Sequence, residues 1–600
     1  MDYFDIELRI SELEREIAIL PQGSLTAKKI KDREYYYHRF TCNGKRSEIY
    51  VDFDDVEEFQ VQIAKRKELE KELKDLKKSL PSAKTVKSQK TLHEFSTYVR
   101  TGEQLKKLAL PVKKYKKREC YTALYDFVFG EHQDKVFILY GLRRTGKTTL
   151  IRQILLDMSE EELQKAAFIQ IKTNDTLSDI NSDLSYLEKQ GCKYVFIDEV
   201  TLMEDFIEGA ALFSDIYASS GIKIVLSGTD SLGFMFTRHE QLFDRCILLH
   251  TTFISYREYE NVLDIKGIDE YIRYGGTMSM GGINYNETSS FANEKNTDEY
   301  IDSAIARNIQ HSLKYYQDGG HFRHLFELYE KGELTSAINR VVEDINHRFT
   351  KEVLTKTFKS NDLSITARNM LHDRTKPTDI YQNIDRDTVT NLLKELLDIL
   401  NKEEQTVEID ASHAYEIKEY LTLLDLIMEI DVQQLPYTNQ HDKITVISQP
   451  GLRYAQADAL INSLLMDAKF NELSVVDRNR IVERILSEIK GRMMEDIVLL
   501  ETKLATPRKE VFQLQFAVGE FDMVIFDPVT LSCEIYEIKY STELVPDQYR
   551  HLINQEKCAE AEHRFGSITG RFVIYRGNPA QSEGVEYLNV EDYLKTLGKH

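Results

Sequence analysis

The sequence has little cysteine and no long hydrophobic segment. Its six cysteines are scattered over 600 residues without a C-x-x-C pair, which argues against a zinc knuckle and against a disulfide framework. The longest apolar runs, such as 136–140 (VFILY), have the length of buried strands and fall short of the roughly 20 residues that a membrane helix needs. The N-terminus carries acidic residues where a signal peptide would be positively charged. We therefore expect a cytoplasmic protein with no membrane partner.

Several catalytic signatures are absent as well. The 15 histidines form no H-E-x-x-H motif and no paired metal spacing, and no G-x-S-x-G occurs. The net charge of −21 excludes a general nucleic-acid coat. Positive charge is nevertheless concentrated between residues 65 and 118, which contain 18 basic and 6 acidic residues. This stretch is either a contact for DNA phosphates or a solvated linker, and the sequence leaves both interpretations open.

The first 80 residues predict a small β-meander and a charged helix. Residues 1–20 favour a short amphipathic helix, and three β-rich runs follow it. Asn43-Gly44, between the second and third runs, is a strong hairpin signal. Residues 56–80 place leucines at spacings of 4, 3 and 4 among lysines and glutamates. That pattern predicts an amphipathic helix, which either packs on the meander or forms a short coiled coil.

From about residue 121, predicted strands alternate with predicted helices, which is the pattern of a parallel sheet. Four continuous apolar runs suit strands that are covered on both faces. These runs are 136–140 (VFILY), 167–171 (AFIQI), 194–198 (YVFID) and 223–227 (KIVLS). Beyond about residue 262 the pattern is mainly helical, and only residues 480–600 return to mixed helix and strand.

A glycine-rich loop follows the first of these strands. Residues 141–149 (GLRRTGKTT) fit G-x-x-x-x-G-K-[ST], and the strand–loop–helix order is the context that this motif requires. Its glycines let the backbone direct N–H groups toward phosphate oxygens, Lys147 reaches the β- and γ-phosphates, and Thr148 supplies a hydroxyl to Mg²⁺. The predicted nucleotide-binding residues of the loop are Gly141, Arg144, Thr145, Gly146, Lys147, Thr148 and Thr149. The sequence therefore predicts that ATP and Mg²⁺ bind here.

Two carboxylates end the third apolar strand. Asp198 and Glu199 lie at its carboxyl end, the edge at which ligands bind in open α/β sheets. Asp198 is predicted to hold Mg²⁺ and Glu199 to polarise the attacking water. After the next strand, either Thr229 or Asp230 is predicted to sense the γ-phosphate. The candidates for charge stabilisation are Arg143, Arg144, Arg238 and Arg245.

A hairpin in the C-terminal region places three charged residues on one face. If its turn centres between residues 529 and 530, Asp522 lies directly opposite Glu537, and Lys539 shares their face. Two carboxylates bind a hard divalent cation, and a lysine orients or activates the attacking water. This D…E-x-K pattern resembles the core of the PD-(D/E)xK nucleases. The resemblance implies a further metal ligand, Glu495, on the preceding helix, and a matching glutamine at Gln555 or Gln548.

The nucleotide-binding region also resembles a known family. GLRRTGKTTL, FIDEV, LSGTDSLGF, LLHTTFISYREYENVL and YIRYGGTM are similar to segments of a large prokaryotic ATPase family. Its members carry an AAA-type, STAND-related ATPase domain, a winged helix and a restriction-endonuclease-like C-terminal domain. The resemblance implies ATP hydrolysis and a winged helix whose second helix begins after Asp385 or Asp387. That wing either reads DNA or serves as a spacer or protein contact.

We therefore predict a multidomain α/β protein with a parallel-sheet P-loop core. The predicted regions are a β-meander with a charged helix (1–80), a basic linker (81–120), an AAA-type ATPase core (121–261), a helical lid (262–345), a winged-helix-like region (346–470) and a nuclease-like domain (471–600). The expected function is an ATPase whose nucleotide state regulates a metal-dependent nuclease acting on DNA. The alternatives are a nucleotide-switched scaffold and a DNA-binding regulator with an inactive nuclease-like domain. A homo-oligomer is a candidate assembly.

Overall fold

The computed structural model divides the chain into two compact units, 1–94 and 95–600. It describes residue 13 and residues 20–79 and 95–598, apart from 22, 31–32, 43–44, 52–55, 132–133, 173, 204, 230–233, 235–241, 243, 278–321, 360–408, 437–441, 467–469 and 473. Apart from residues 13 and 20, the helix predicted for residues 1–20 lies outside the described residues, and so does the helix expected after Asp385 or Asp387. Among the described residues, no helix is both long and apolar enough to span a bilayer.

The first unit contains three strands and a long helix. Strands β1 (Ser24–Ile30), β2 (Arg33–Cys42) and β3 (Lys45–Val51) form an antiparallel sheet in chain order, and helix α1 spans Val56–Ser79. The rings of His38 on β2 and Phe59 on α1 lie 5.3 Å apart, so the helix packs on the sheet at this point.

The second unit begins with a six-stranded sheet. Its strands are β4 (Tyr98–Thr101), β5 (Val136–Tyr140), β6 (Ala166–Gln170), β7 (Tyr194–Asp198), β8 (Lys223–Gly228) and β9 (Cys246–His250), in the order β4-β6-β7-β8-β5-β9. Every pairing is parallel except that of the edge strand β4, which runs antiparallel to β6. The four predicted apolar runs are thus the four central strands, and their burial on both faces explains their unbroken apolar sequences.

Helices cover both faces of this sheet. They are α2 (Glu103–Ala109), α3 (Tyr121–Phe129), α4 (Lys147–Asp157), α5 (Glu160–Gln164), α6 (Leu177–Lys189) and α7 (Phe206–Gly209), with a π-helical turn at Phe213–Ala218. Alternate residues of β5 divide between two apolar cores: Ile138 packs with α6 and Phe137 with α3 and α4. The strand is therefore held rigidly from both sides where it enters the glycine-rich loop.

The structure corrects the linker expected at 81–120. From Phe95 onward this stretch is folded against the six-stranded sheet, because β4 pairs with β6 and because Leu105, Leu108 and Val112 are buried. Most of the lysines in this ordered part are exposed, whereas Arg118 is buried, and a sequence rich in lysine concealed the apolar positions between them.

A set of helices follows the six-stranded sheet. It comprises α8 (Tyr256–Leu263), α9 (Ile268–Tyr274), α10 (Arg323–Glu330), α11 (Leu334–Lys359) and α12 (Ala411–Leu423). The chain then forms the hairpin β10 (Ile427–Leu435) and β11 (Asp442–Ile447), followed by α13 (Pro450–Met466) and the long helix α14 (Val475–Ala505).

The C-terminal sheet has eight strands and extends farther back in the chain than expected. After α14 come β12 (Glu510–Phe516), β13 (Glu520–Asp527), β14 (Ser532–Lys539), α15 (Gln555–Phe565), β15 (Ser567–Tyr575), β16 (Ala580–Ser582), β17 (Val585–Asn589) and α16 (Val590–Thr596). This order contains the predicted α–β–β–β–α–β unit. The hairpin β10–β11, which lies in the region assigned to the winged helix, joins the same sheet through parallel pairing of β10 with β12.

Helix α14 also packs against α8 and α9 in one apolar core. At this junction the buried carboxylate of Glu501 accepts hydrogen bonds from Tyr256 N (2.7 Å) and from the hydroxyl of Tyr271 (3.1 Å). Burial raises the pKa of Glu501 to about 7, against its ordinary value of 4.5. The native state therefore binds more protons at this carboxyl than the unfolded chain does between these two values.

The proton on Glu501 is lost as the pH rises from about 5 to 8. We expect this loss to lower the free energy of unfolding by on the order of 3 kcal/mol. The variant Glu501→Gln keeps an acceptor for Tyr256 N and removes the titration, so its unfolding temperature should fall less over this range. Thermal unfolding at several pH values checks this. Glu483→Gln, an exposed glutamate of the same helix, is the control and should follow the parent. A Glu501→Gln profile identical to that of the parent would contradict the expectation.

Candidate functional site

The glycine-rich loop turns sharply between β5 and α4. Gly141 and Gly146 have φ of 139° and 92°, in a region that favours glycine. A Cβ at Gly141 would lie 2.4 Å from the carbonyl oxygen of Thr251, so the loop and the chain after β9 approach too closely for any other residue. Gly146 precedes the first residue of α4, and the N-terminus of this helix faces the loop, as binding of an anion requires.

The ammonium of Lys147 lies against the loop. Its Nζ donates to the carbonyl oxygens of Gly141 (2.7 Å) and Leu142 (2.8 Å), and the residue is buried. Burial lowers the pKa of Lys147 to about 8, with a further decrease from the charge of Arg143, while the carboxylates of Glu199 and Asp198 act in the opposite direction. This lysine is thus a poorly solvated cation that an anionic ligand would stabilise.

Asp198 lies at the carboxyl end of β7 and joins two strands to the loop helix. It accepts a hydrogen bond from Thr148 Oγ1 (2.9 Å) and another from the hydroxyl of Ser227 on β8. The sequence analysis predicted that Thr148 and Asp198 act together but did not predict Ser227. The position of Ser227 beside β7 follows only from the strand order. Hydroxyl and carboxylate oxygens are the ligands that Mg²⁺ prefers, so Thr148 and Asp198 form a suitable pair.

Glu199 follows in a left-handed conformation with φ of 60°. Its carboxylate accepts a hydrogen bond from Thr229 Oγ1 at 3.4 Å. Burial and the neighbouring Asp198 raise the pKa of Glu199. A carboxylate with a raised pKa is a better proton acceptor, which suits it to activating a water molecule.

A cavity of about 610 Å³ lies above the loop. Seven predicted residues line it: Arg144, Gly146, Lys147, Thr148, Thr149, Glu199 and Thr229. Arg143, a candidate for charge stabilisation, lines it too, together with Tyr115, Val262 and Leu263, which sequence reasoning missed. The sequence gives only a weak signal that these three residues line the cavity, because they lie outside the motif. Tyr115 lies on the segment before α3, and Val262 and Leu263 lie at the end of α8.

The other four predicted residues at this site have different outcomes. The side chain of Thr145 is fully buried and bonds to Leu142 O (2.8 Å) and Thr251 Oγ1 (2.9 Å), so it braces the loop. Arg245 forms a surface ion pair with Asp215, at 2.7 and 2.8 Å, and does not line the cavity. Arg238 and Asp230 lie outside the described residues.

A buried ion pair ties the loop to helix α8. Arg118 donates to both carboxylate oxygens of Glu258, at 2.9 and 2.5 Å, and its Nη1 donates to the carbonyl oxygen of Thr145 at 2.8 Å. Arg118 and Glu258 are each about 5% exposed. Removing one partner of such a pair leaves an uncompensated buried charge and costs about 3–5 kcal/mol.

The Arg118–Glu258 pair removes one residue from the DNA contact predicted for the basic stretch 65–118. Arg118 is enclosed by Glu258, while Lys117 pairs with Asp157 and Lys106 with Glu103 and Glu160. These three residues serve the ATPase core. Lys113 and Lys114 are exposed, so any phosphate contact from the described part of this stretch falls to residues of that kind.

The C-terminal charged residues converge as the hairpin register predicted. Met523 pairs with Tyr536, which places Asp522 opposite Glu537. Lys539 Nζ lies 2.8 Å from Asp522 Oδ2 and 2.6 Å from Glu537 Oε2, and Asp522 Oδ2 also accepts Ile538 N at 2.7 Å. Both carboxylates are buried. We call Asp522, Glu537, Lys539 and the neighbouring Glu495 the acidic cluster.

Burial and mutual repulsion set the protonation of this cluster. Burial and the charge of Asp522 raise the pKa of Glu537 well above its usual range, and the same causes raise the pKa of Glu495 to about 7. Burial acts to raise the pKa of Asp522 as well, but Lys539 and the Ile538 amide outweigh it and lower this pKa. The carboxylates keep the pKa of Lys539 well above its usual value, although burial opposes them. The cluster therefore holds excess acidic oxygens near one firmly protonated lysine.

The glutamine expected beside these carboxylates is not in place. Gln548 accepts from Val545 N and donates to Glu543 O, and Gln555 is exposed at the start of α15. Two basic residues, His551 and Lys557, interact with the cluster from this side and contact each other at 2.7 Å, and burial and Lys557 lower the pKa of His551 to about 4. The position of a residue in the helical stretch after the hairpin could not show whether a glutamine or a basic side chain would lie beside the cluster.

A family profile supports the nucleotide site. Residues 133–260 match the profile of the AAA_14 family, described as an AAA domain, and residues 3–61 match a domain of unknown function (DUF6788). No curated protein matches the chain. The solved S. cerevisiae Hsp104-ADP complex is similar at 13% identity and a TM-score of 0.23, over 66% of this chain and 50% of that one. The chain therefore spans half of the length of that solved chain.

Fold, loop and profile together define an AAA-type P-loop ATPase domain at residues 133–260, the class that binds and hydrolyses ATP. The core of the second unit is accordingly a mixed α/β nucleotide-binding domain, built on the parallel strands β5 to β9.

Replacing Arg118 tests the brace between the loop and α8. We expect Arg118→Ala to lower the unfolding temperature and to weaken ATP binding, because Glu258 loses its partner and Thr145 O loses a donor. Arg118→Lys should recover only part of the loss, since an ammonium cannot reproduce the two-pronged contact. Thermal unfolding and calorimetric ATP titration measure both effects. Lys113→Ala is the control, and an Arg118→Ala variant with the parent's stability would show that the pair contributes nothing.

Proposed function

We propose that this protein hydrolyses ATP and that its nucleotide state controls a metal-dependent nuclease centre in the C-terminal sheet, which acts on DNA. The observation that carries the proposal is the acidic cluster, in which two buried carboxylates from adjacent strands meet one lysine. The AAA domain supplies the ATPase half, and α14 connects the two halves.

The residues around the loop fit ATP and Mg²⁺. Lys147 is a buried cation whose hydrogen bonds, within the described residues, go to two carbonyl oxygens, and the cavity beside it has room for a nucleotide. Thr148 and Asp198 would hold the Mg²⁺, which neutralises phosphate charge when bound. Tyr115, Val262 and Leu263 offer the aromatic and apolar surface that a nucleobase needs.

Different residues of this chain bind the phosphates and activate the attacking water. Lys147 and the loop amides bind the phosphates, and Arg143 and Arg144 add positive charge at the same cavity. Glu199 accepts a proton from the attacking water, and Thr229, bonded to Glu199, orients that carboxylate.

The acidic cluster fits a divalent cation. Among the residues that the structure describes, Glu537 Oε1 is buried without a hydrogen-bond partner, which is an unfavourable state unless another group binds it. Glu495, Asp522 and Glu537 would hold the cation, which activates water and stabilises phosphate charge when bound. Lys539 stays protonated beside two carboxylates, so its role is to orient water or a phosphate oxygen as a donor. Its four-residue pattern resembles the PD-(D/E)xK nuclease core.

A continuous set of contacts links the two sites. Thr145 of the loop bonds to Arg118, which pairs with Glu258 on α8. Tyr256, at the start of α8, bonds to Glu501 on α14, and Glu495 lies on the same helix. A second junction joins Asp269 of α9 to Tyr540, the residue after Lys539. Movement of α8 on nucleotide binding would therefore reach the acidic cluster through packed elements, and this coupling is part of the proposal.

A nucleotide-switched scaffold is the alternative with structural support. In that case the contacts of Lys539 with Asp522 and Glu537 form a closed ion-pair cluster that stabilises the fold and performs no chemistry. The DNA-binding regulator has less support, because Arg118, Lys117 and Lys106 are engaged within the ATPase core. A homo-oligomer remains a prediction.

The ATPase half is tested by two variants. Lys147→Ala should abolish measurable ATP binding, because the phosphates lose their principal cation. Glu199→Gln should bind ATP like the parent but hydrolyse it at least about 100-fold more slowly, since an amide accepts no proton. Calorimetry and phosphate release measure the two effects, with Lys114→Ala as a surface control. Equal hydrolysis by the parent and Glu199→Gln would remove Glu199 from the proposal.

The nuclease half is tested on single- and double-stranded DNA with Mg²⁺ or Mn²⁺. Asp522→Asn and Lys539→Ala should each abolish cleavage, whereas Glu586→Gln, an exposed residue of the same sheet, should leave it unchanged. A parent protein that cleaves neither substrate in any nucleotide state would favour the scaffold. Equal cleavage with ATP, with ADP and by the Lys147→Ala variant would support nuclease activity but contradict its control by the nucleotide state.

A further inference from the structure

Three metal-ligating side chains from two helices converge away from both sites. His324 and Glu327 lie on α10 and His413 lies on α12, and one ligand atom from each lies within 4.8 Å of the others. The first two are three residues apart and therefore share a helix face. His324 Nδ1 lies 3.9 Å from Glu327 Oε2, and the rings of His324 and His413 are 5.3 Å apart. Among the described residues, these three side chains bring their ligand atoms close enough together to share one metal ion.

From this geometry we propose that His324, Glu327 and His413 bind a divalent transition metal such as Zn²⁺, which clamps α10 to α12. The proposal does not rest on the ATPase or nuclease assignments. Two imidazoles and one carboxylate form the mixed nitrogen and oxygen donor set that Zn²⁺, Co²⁺ and Ni²⁺ prefer, whereas Mg²⁺ and Ca²⁺ prefer oxygen alone.

The surroundings of His413 support a ligand role. Its Nδ1 lies 2.8 Å from Asp410 Oδ1, the residue that caps α12 through the amides of Ser412 and His413. The shorter contact, with the Asp410 carboxylate, places the proton on Nδ1 and the lone pair on Nε2, whereas the Asp410 amide, 3.3 Å from the same Nδ1, favours the opposite tautomer. Within the described residues Nε2 is buried and has no hydrogen-bond partner, and the side chain is 13% exposed. A carboxylate that holds the second nitrogen of a histidine is the usual support of a metal ligand.

The remaining ligands are free to complete the site. Glu327 uses Oε1 for a contact with the exposed Arg323, so Oε2 is available beside His324. Ligand atoms around a tetrahedral Zn²⁺ lie about 3.4 Å apart, so the three side chains need to close by roughly 1 Å. Both His324 and Glu327 are partly exposed and have room for that rotation. A fourth position would be filled by water or by a substrate group.

The site occupies a junction that already depends on polar contacts. Leu325 N of α10 donates to Glu416 Oε2 of α12 at 3.0 Å, and apolar residues of both helices share one core. Helix α12 leads directly into β10 of the C-terminal sheet. A metal ion here would fix the helix that enters this sheet, which gives the site a structural role.

The test uses the full chain after treatment with a chelator, in excess Mg²⁺ so that carboxylate sites are filled. Zn²⁺ is titrated by calorimetry, and Co²⁺ by its visible absorption, which reports nitrogen ligands in a tetrahedral site. The parent should bind one ion, and its unfolding temperature should rise with Zn²⁺. His324→Ala and His413→Ala should each weaken binding at least about 100-fold, and Asp410→Asn by about 10- to 100-fold.

His563→Ala, an exposed histidine on α15, is the matched control and should bind as the parent does. His324 is more exposed than His413, so His324→Ala should fold even if His413→Ala does not, and circular dichroism verifies this. Zn²⁺ binding that is unchanged in His324→Ala, or a parent that binds no Zn²⁺ and shows no Co²⁺ absorption, would overturn the proposal.

Discussion

The buried pair of Arg118 and Glu258 is the interaction on which the rest of the second unit depends. One guanidinium satisfies a carbonyl of the phosphate-binding loop and both oxygens of a glutamate on α8. Because both groups are almost fully enclosed, neither tolerates the loss of the other. The loop conformation and the position of α8 are therefore fixed together, and α8 in turn closes one side of the nucleotide cavity through Val262 and Leu263.

The same helix faces the C-terminal half of the molecule. Its first residue, Tyr256, bonds to Glu501, and the apolar side of α8 packs with α9 and α14 in one core. Asp269 adds contacts with Lys490, Tyr540 and Arg576 from three elements of the C-terminal half. An arrangement of this kind does not separate into independent modules, and it explains why the described residues from 95 onward form one compact unit.

Local sequence signals predicted the parts of this protein that depend on neighbouring residues. The loop between β5 and α4, the strand that ends in Asp198 and the register of the β13–β14 hairpin all follow from short-range spacing and alternation. Contacts between distant residues could not be predicted in this way. Arg118 meets Glu258 across 140 positions, Ser227 reaches Asp198 only through the strand order, and β10 pairs with β12 across two intervening helices. In each case the neighbouring residues in the sequence give no information about the partner, which is determined by the tertiary fold.

The pairing of β10 with β12 has a consequence for where the C-terminal sheet begins in the chain. Residues 471–600 alone would leave β12 with a bare row of backbone donors and acceptors along one side, which invites association with other chains. The shortest segment that contains every strand of this sheet starts with β11's partner β10, at residue 427, and includes α13 and α14. The sheet therefore extends well upstream of the segment that carries its charged residues.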